Sequence, residues 1–90
     1  MHRRTSLEAA ETIALNALAF LADSPNGLEL LMHQSGLDVA TIRQRTADRE
    51  FLAAITDFLM ANEALLVDFC QSTKTEPLDV RMANRRLSGR

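Results

Sequence analysis

Apolar residues along this chain return at three- and four-residue spacing, which is the signature of helices that turn one face to a common core. Ala10, Ile13, Ala14, Ala17, Phe20 and Leu21 form the first such stripe. Thr5 with Glu8 three residues later reads as a capping box that opens this helix, which runs to about Ala22. From Ile13 onward nearly every position is apolar, so the second half of the helix is expected to lie among other helices. No stretch alternates apolar and polar residues over the length of a strand, and no strand is expected.

Five more helices follow from the same reading. Ser24 suits an N-cap and Pro25 the first helical position, where no N–H is needed. Leu28, Leu31 and Met32 give this second helix its inner face. It closes at Ser35-Gly36-Leu37, with Gly36 left-handed and Leu37 folding back on Leu31 or Met32. Asp38 caps a short third helix carrying Val39 and Ile42 and ending near Thr46. Asp48 opens the fourth, whose face is the clearest in the chain: Phe51, Leu52, Ile55, Phe58 and Leu59. Asn62 caps a fifth helix bearing Leu65, Leu66, Phe69 and Cys70, and Gln71 to Thr75 reads as a loop. Glu76-Pro77 starts a sixth helix with Leu78, Val80, Met82 and Leu87, which frays before Gly89.

A shift of 38 residues lays this punctuation on itself. Phe20-Leu21 falls on Phe58-Leu59, Ser24 on Asn62, Leu28 on Leu66, Leu31 on Phe69 and Met32 on Cys70. Asp38-Val39 falls on Glu76-Pro77, and Ile42-Arg43 on Val80-Arg81. The expectation is an all-α fold, one domain over 1–90, in which a compact bundle of six short helices forms two pseudo-repeated three-helix halves. The halves are 5–46 and 47–88, with 1–4 and 89–90 as loose ends.

The segments Ile13–Ala22, Ser35-Gly-Leu-Asp38 and Phe51–Leu59 resemble a family of small bacterial proteins, the domain of unknown function numbered 3572. The resemblance covers the chain from about Ala10 to about Arg85 and rests on core and cap residues, so it speaks for fold and transfers no catalytic residue. Members commonly carry a Gly-Leu-Asp-Pro turn before the third and the sixth helix. Here Val39 replaces the first Pro, and Lys74-Thr75-Glu76-Pro77 lacks the Gly.

Composition narrows the function classes. Ninety residues, 47% of them hydrophobic, make a folded domain and not a disordered acidic chain. Fourteen Leu and thirteen Ala against four Phe point to an Ala/Leu-packed helical interior. One Cys excludes a disulfide scaffold and a paired-Cys zinc site. The longest nearly apolar run, Ile13 to Ala22, falls short of the roughly 20 residues that cross a bilayer. Glu8, Glu11 and Asn16 interrupt what would be a signal peptide after Arg3-Arg4, so the expected compartment is the cytoplasm and no membrane is expected as a partner.

Few residues promise chemistry. Cys70, the only thiol, lies on the apolar face of its helix and reads as a small buried hydrophobe, not a nucleophile. His33 sits in a last helical turn, where a cation suits the dipole, with Glu29 as its one neighbour at helical spacing. His2 stands near the terminus, and no metal site or cofactor motif appears. Asn16 is the most unusual polar residue, either buried with a partner that fixes helix register or exposed.

Two surfaces carry functional expectations. Leu31 to Gln44 has the helix, Gly36 turn and helix of a helix-turn-helix, in which Thr41, Arg43 and Gln44 would reach a DNA groove. Charge opposes nucleic acid as a partner, because residues 5–70 carry ten acidic and three basic side chains, a net of −7. The basic residues are at the ends, and Arg81, Arg85 and Arg86 crowd the last helix either as a solvated end or as a docking strip. Leu7 and Leu15 lie off the main stripe of the first helix as weaker contact candidates. No paired acids, nucleophile constellation or phosphate loop is present, and the reading is a non-enzymatic interaction or adaptor module. Its partner would be another protein or a second copy of itself.

Overall fold

The computed structural model describes residues 6–24 and 26–89. Its six helices are α1 (Leu7–Asp23), α2 (Gly27–Ser35), α3 (Val39–Gln44), α4 (Arg49–Ala61), α5 (Glu63–Thr73) and α6 (Pro77–Leu87), and no strand occurs among the described residues. The Ala-rich stripe of α1 sets the architecture. Ala10, Ala14, Ala17 and Leu21 are spaced i, i+4, i+7 and i+11 and are all fully buried. Side chains this small let a neighbouring helix approach closely, and α6 answers with its own small residue, the fully buried Ala83. α6 packs along both α1 and α4, and α1 and α4 pack on each other, so these three helices form the centre. α2 lies on α1 and α5 on α4.

α4 supplies the largest share of the core. Phe51, Leu52, Ile55, Phe58 and Leu59 are all buried, as their spacing predicts. Phe20 of α1 meets Phe69 of α5 edge-on, with ring centroids 5.7 Å apart. Gly27 is at the close approach of α2 to α1, where a Cβ would stand 2.9 Å from that of Ser24.

One polar contact ties α6 to α4. The Asn84 side-chain amide lies 2.9 Å from Thr56 Oγ1, 2.8 Å from Asp57 Oδ1 and 3.2 Å from the Ala53 carbonyl. Thr56, buried within the apolar face of α4, donates its own hydroxyl to the same Ala53 carbonyl. With Asn84 beside residues 53–57 and Gly89 close to the Arg49 guanidinium, α6 runs antiparallel to α4.

Local chemistry accounts for most helix ends. Asp38 caps α3 by accepting the Thr41 N–H at 2.8 Å, which holds its carboxyl below the ordinary carboxylate range. Asp48 caps α4, and its carboxyl is lowered chiefly by hydrogen bonds from the Arg45 guanidinium, the shorter 2.8 Å long. Arg45 also stacks over the Phe51 ring, 5.6 Å from its centroid. Gly36 takes a left-handed φ of 74° after α2, as expected. At α6, Asp79 accepts the Glu76 N–H and Pro77 is the first helical residue.

Several ends differ from expectation. The cap of α1 is Ser6, whose hydroxyl oxygen accepts the Ala9 N–H, while Thr5 lies outside the described residues. Ser24 does not open α2. Its hydroxyl donates back to the Phe20 carbonyl and closes α1, Asn26 stands at the N-cap of α2, and Pro25 lies outside the described residues. Asn62 likewise turns back, donating to the Phe58 carbonyl, so it finishes α4 without capping α5 by its side chain. Short polar side chains after a helix can serve the helix behind as well as the one ahead, and here the open carbonyls of the longer helices win.

α3 stops at Gln44, before Thr46, and α5 continues through the expected loop to Thr73, closed by Lys74 in the left-handed region with φ of 56°. The second half of α1 is not surrounded: Leu15 is 41% exposed, and Asn16, Ala19 and Ala22 are exposed. Asn16 therefore fixes no buried register. On α6 the inward residues are Val80, Ala83 and Leu87, whereas Leu78 is 52% exposed and Met82 half-buried.

Candidate functional site

α6 presents two faces to solvent, and its arginines divide between them. Arg81 and Arg85 are exposed on the face opposite Ala83 and Val80, in a stripe with Leu78 and Met82 at i, i+3, i+4 and i+7. Arg86 lies apart from this stripe. It lines a cavity of about 350 Å³ with Leu7, Arg49 and Gly89, where the last turn of α6 meets the first turns of α1 and α4. The expected strip is thus a pair of arginines flanked by apolar side chains, with the third arginine elsewhere.

The helix-turn-helix residues are less assembled. Arg43 and Gln44 are exposed beside Val39 and Ala40, and Thr41 is half-buried. Arg45 is engaged by Asp48, and Arg49 faces the cavity near Arg86, so these arginines do not join Arg43 in one basic face. α3 itself is six residues long.

A groove that the sequence reading missed runs between the C-terminal half of α2 with the following turn, and α4. Its volume is about 370 Å³. Leu31, Leu37, Phe51, Ile55 and Phe58 make an apolar floor. Along α4, Glu50, Ala54, Asp57 and Ala61 stand at i, i+4, i+7 and i+11, all exposed, so that alanines alternate with carboxylates on the groove's edge. That spacing was legible as a second helical face of α4, outside the large apolar one. The far wall is the end of α2, at Gln34 and Ser35, where the helix carbonyls add partial negative charge. The rim's one arginine, Arg45, is bound to Asp48.

A second groove lies between α1 and α5 and is lined by Asn16, Ala19, Phe20, Asp23, Ser24, Ser72 and Thr73. Six of these seven residues coincide with residues lining the first groove when shifted by 38 positions, Ser24 being the exception. The correspondence brings out a difference in chemistry. Asn16 and Asp23 stand where the α2–α4 groove has Ala54 and Ala61. Ala19 in turn stands where the α2–α4 groove has Asp57, so each long helix lines its groove with two polar side chains, and the grooves differ most in the floor, which is Phe20 alone in one and Leu31, Leu37, Phe51, Ile55 and Phe58 in the other.

Cys70 is 8% exposed, and burial, with a smaller contribution from the Asp79 carboxylate, pushes its thiol up. The thiolate is disfavoured there, which suits a packing residue. His33 and Glu29 are exposed on α2. Among the described residues, no group of three or more His, Cys, Asp or Glu side chains is placed to hold a metal ion. Among them also, no helix is long and apolar enough to cross a membrane.

No curated protein and no solved structure matches the chain. A family model does, over residues 7–90, which takes in all six helices and both grooves. The chain belongs to the family described as Protein of unknown function (DUF3572).

Proposed function

We propose that this protein is a non-catalytic interaction module built from two copies of one three-helix unit, with the groove between α2 and α4 as its binding surface. The observation that carries the reading is the contrast between the two grooves. The α2–α4 groove has a floor of Leu31, Leu37, Phe51, Ile55 and Phe58 with alanines at 54 and 61, whereas the α1–α5 groove has Asn16 and Asp23 at those two positions and only Ala19 and Phe20 as apolar lining. An open apolar channel costs solubility and is tolerated where it is used. Its elongated shape along α4 suits a helix laid in a groove. The 38-residue correspondence of the lining supports the duplication, as does the spacing of the two left-handed residues, Gly36 and Lys74.

Ala54→Glu tests the reading, because residue 54 is exposed and the substitution leaves the core alone. Affinity purification of the full chain from its own cells is expected to recover a stoichiometric partner, itself or another protein, that Ala54→Glu loses while its melting temperature is kept. Equal recovery on both chains places binding elsewhere and overturns the groove. No stoichiometric partner on either chain overturns the module.

A further inference from the structure

We infer that the occupant of the α2–α4 groove is the outer face of α6 from a second copy of this chain, in a reciprocal two-fold dimer; the inference rests on the groove reading above. The groove selects its ligand by two properties. Its floor is apolar, and the charged side chains on its edge that remain available are carboxylates, Glu50 and Asp57. With Arg45 occupied by Asp48 and the carbonyl end of α2 forming the far wall, the field in the groove is negative. The fitting ligand is a helix with one or two protruding apolar side chains flanked by arginine or lysine.

The chain displays such a helix. On the outer face of α6, Leu78 is the most exposed large hydrophobic residue among the described residues, at 52%, and half-buried Met82 follows one turn later. Arg81 and Arg85 flank them, and neither forms an ion pair among the described residues. The charge polarity of the chain, an acidic body against a basic last helix, is then the polarity of the two halves of one interface.

Position favours reciprocity. Asn84, next to Arg85 on α6, touches Asp57 on the groove edge, so the stripe and the groove flank this contact. A two-fold axis through that point sets each copy's stripe against the other's groove, so one operation forms both contacts and the assembly closes at two. Two such contacts also give area. A stable interface covers roughly 800 Å² per partner, so one groove alone is small and the reciprocal pair of contacts is what the assembly needs.

Sedimentation equilibrium of the full chain tests this, expecting a particle of twice the 10.0 kDa chain mass. Arg81→Glu/Arg85→Glu and Glu50→Arg alter only exposed positions. Each alone is expected to weaken self-association at least about tenfold, about 1.4 kcal/mol, with the melting temperature kept. Mixed in equal amounts, the two variants restore both contacts, since the reversed groove of one meets the reversed stripe of the other, and the dimer returns. A wild-type chain that stays monomeric up to about 1 mM overturns the inference. So does a dimer indifferent to these variants, or variants that fail to rescue each other. In the monomeric case the groove reading survives if Ala54→Glu still abolishes recovery of a different partner, which separates the two failures.

Discussion

α3 and α6 begin alike and end differently. Each follows a residue in the left-handed region, Gly36 or Lys74, and each has an acidic residue at its N-cap, Asp38 or Glu76. Their first residues, Val39 and Pro77, are 38 positions apart. From there α6 buries Val80, Ala83 and Leu87 between α1 and α4, while α3 buries Ile42 alone and ends after six residues, with Val39 45% exposed. Caps and turns are chosen by a few local side chains, whereas packing needs apolar residues repeated over two or more turns. After Ile42 the sequence offers Arg43, Gln44 and Arg45, so α3 has nothing further to bury. A single turn and a half of helix is unstable by itself and depends on that one anchor.

The two helices are expected to differ most when their anchors are cut back. Leu87→Ala removes a side chain 2% exposed from the last residue of α6, packed among the three central helices, and is expected to cost about 2–5 kcal/mol in urea unfolding. Ile42→Ala deletes the same three carbons from a site 5% exposed. Its global cost is nevertheless expected to stay under about 2 kcal/mol, because α3 can detach while α1, α4 and α6 remain packed, and the loss then stops growing. Equal costs for the two would show that α3 folds as one unit with the centre.

Asn84 is the next point of difference, since α3 has no counterpart to its bonds across to α4. Asn84→Ala leaves Thr56 its bond to the Ala53 carbonyl, and exposed Asp57 returns to water, so the expected loss is about 1–2 kcal/mol. Native-state hydrogen exchange should show the weakening in α6 and α4 with α3 unchanged. This contact also marks how far the sequence could be read. Six helices, the caps Asp38 and Asp48, the turn at Gly36 and the large apolar residues of α4's inner face were legible, because each follows from spacing or from one side chain's local bonds, while Ala53 and Thr56 on that face were not. Thr56 sits inside an otherwise apolar stripe and Asn84 in a polar one, and nothing in either pattern says that they meet. The same limit hid the groove. Its α4 edge was visible as Glu50, Ala54, Asp57 and Ala61, but not that α2 would lie opposite and leave a channel. The direction in which Ser24 and Asn62 would bond was equally undetermined, since both helices bordering each residue have open backbone groups.

The two left-handed residues differ between the halves as well, with smaller effects. A Cβ at Gly36 would meet nothing within 4 Å, so Gly36→Ala tests conformation alone and is expected to cost about 1 kcal/mol. Lys74 holds a φ of 56° with a full side chain and already bears that strain. Lys74→Gly should therefore stabilise the chain, by about 0.5–1 kcal/mol, read as a rise in the urea midpoint at unchanged slope. The loss at Gly36 falls on the α2–α3 turn, and the gain at Lys74 falls on the turn that leads into the central helix. If Lys74→Gly destabilises, the lysine side chain holds that turn by contacts that outweigh its strain.

The smallest effect is expected from acid, and it isolates α3. The Thr41 N–H lowers the folded-state pKa of Asp38 below the ordinary 3.8. A lowered carboxylate contributes stability at pH above the unfolded value, and that contribution disappears as pH falls through the lower folded value. Because α3 is held by one buried residue, the loss should appear as local fraying and not as a global transition. The Thr41 amide resonance is expected to titrate with a midpoint below 3.8, while amides of Val80 to Leu87 hold their shifts over the same range. Asp38→Asn should keep α3, since Asn caps as well as Asp, and abolish the titration. A Thr41 midpoint at or above the ordinary value would mean that the cap bond is not formed in solution. Movement of the α6 amides in step with Thr41 would instead mean that α3 is coupled to the centre, and the contrast between the two helices would be lost with it.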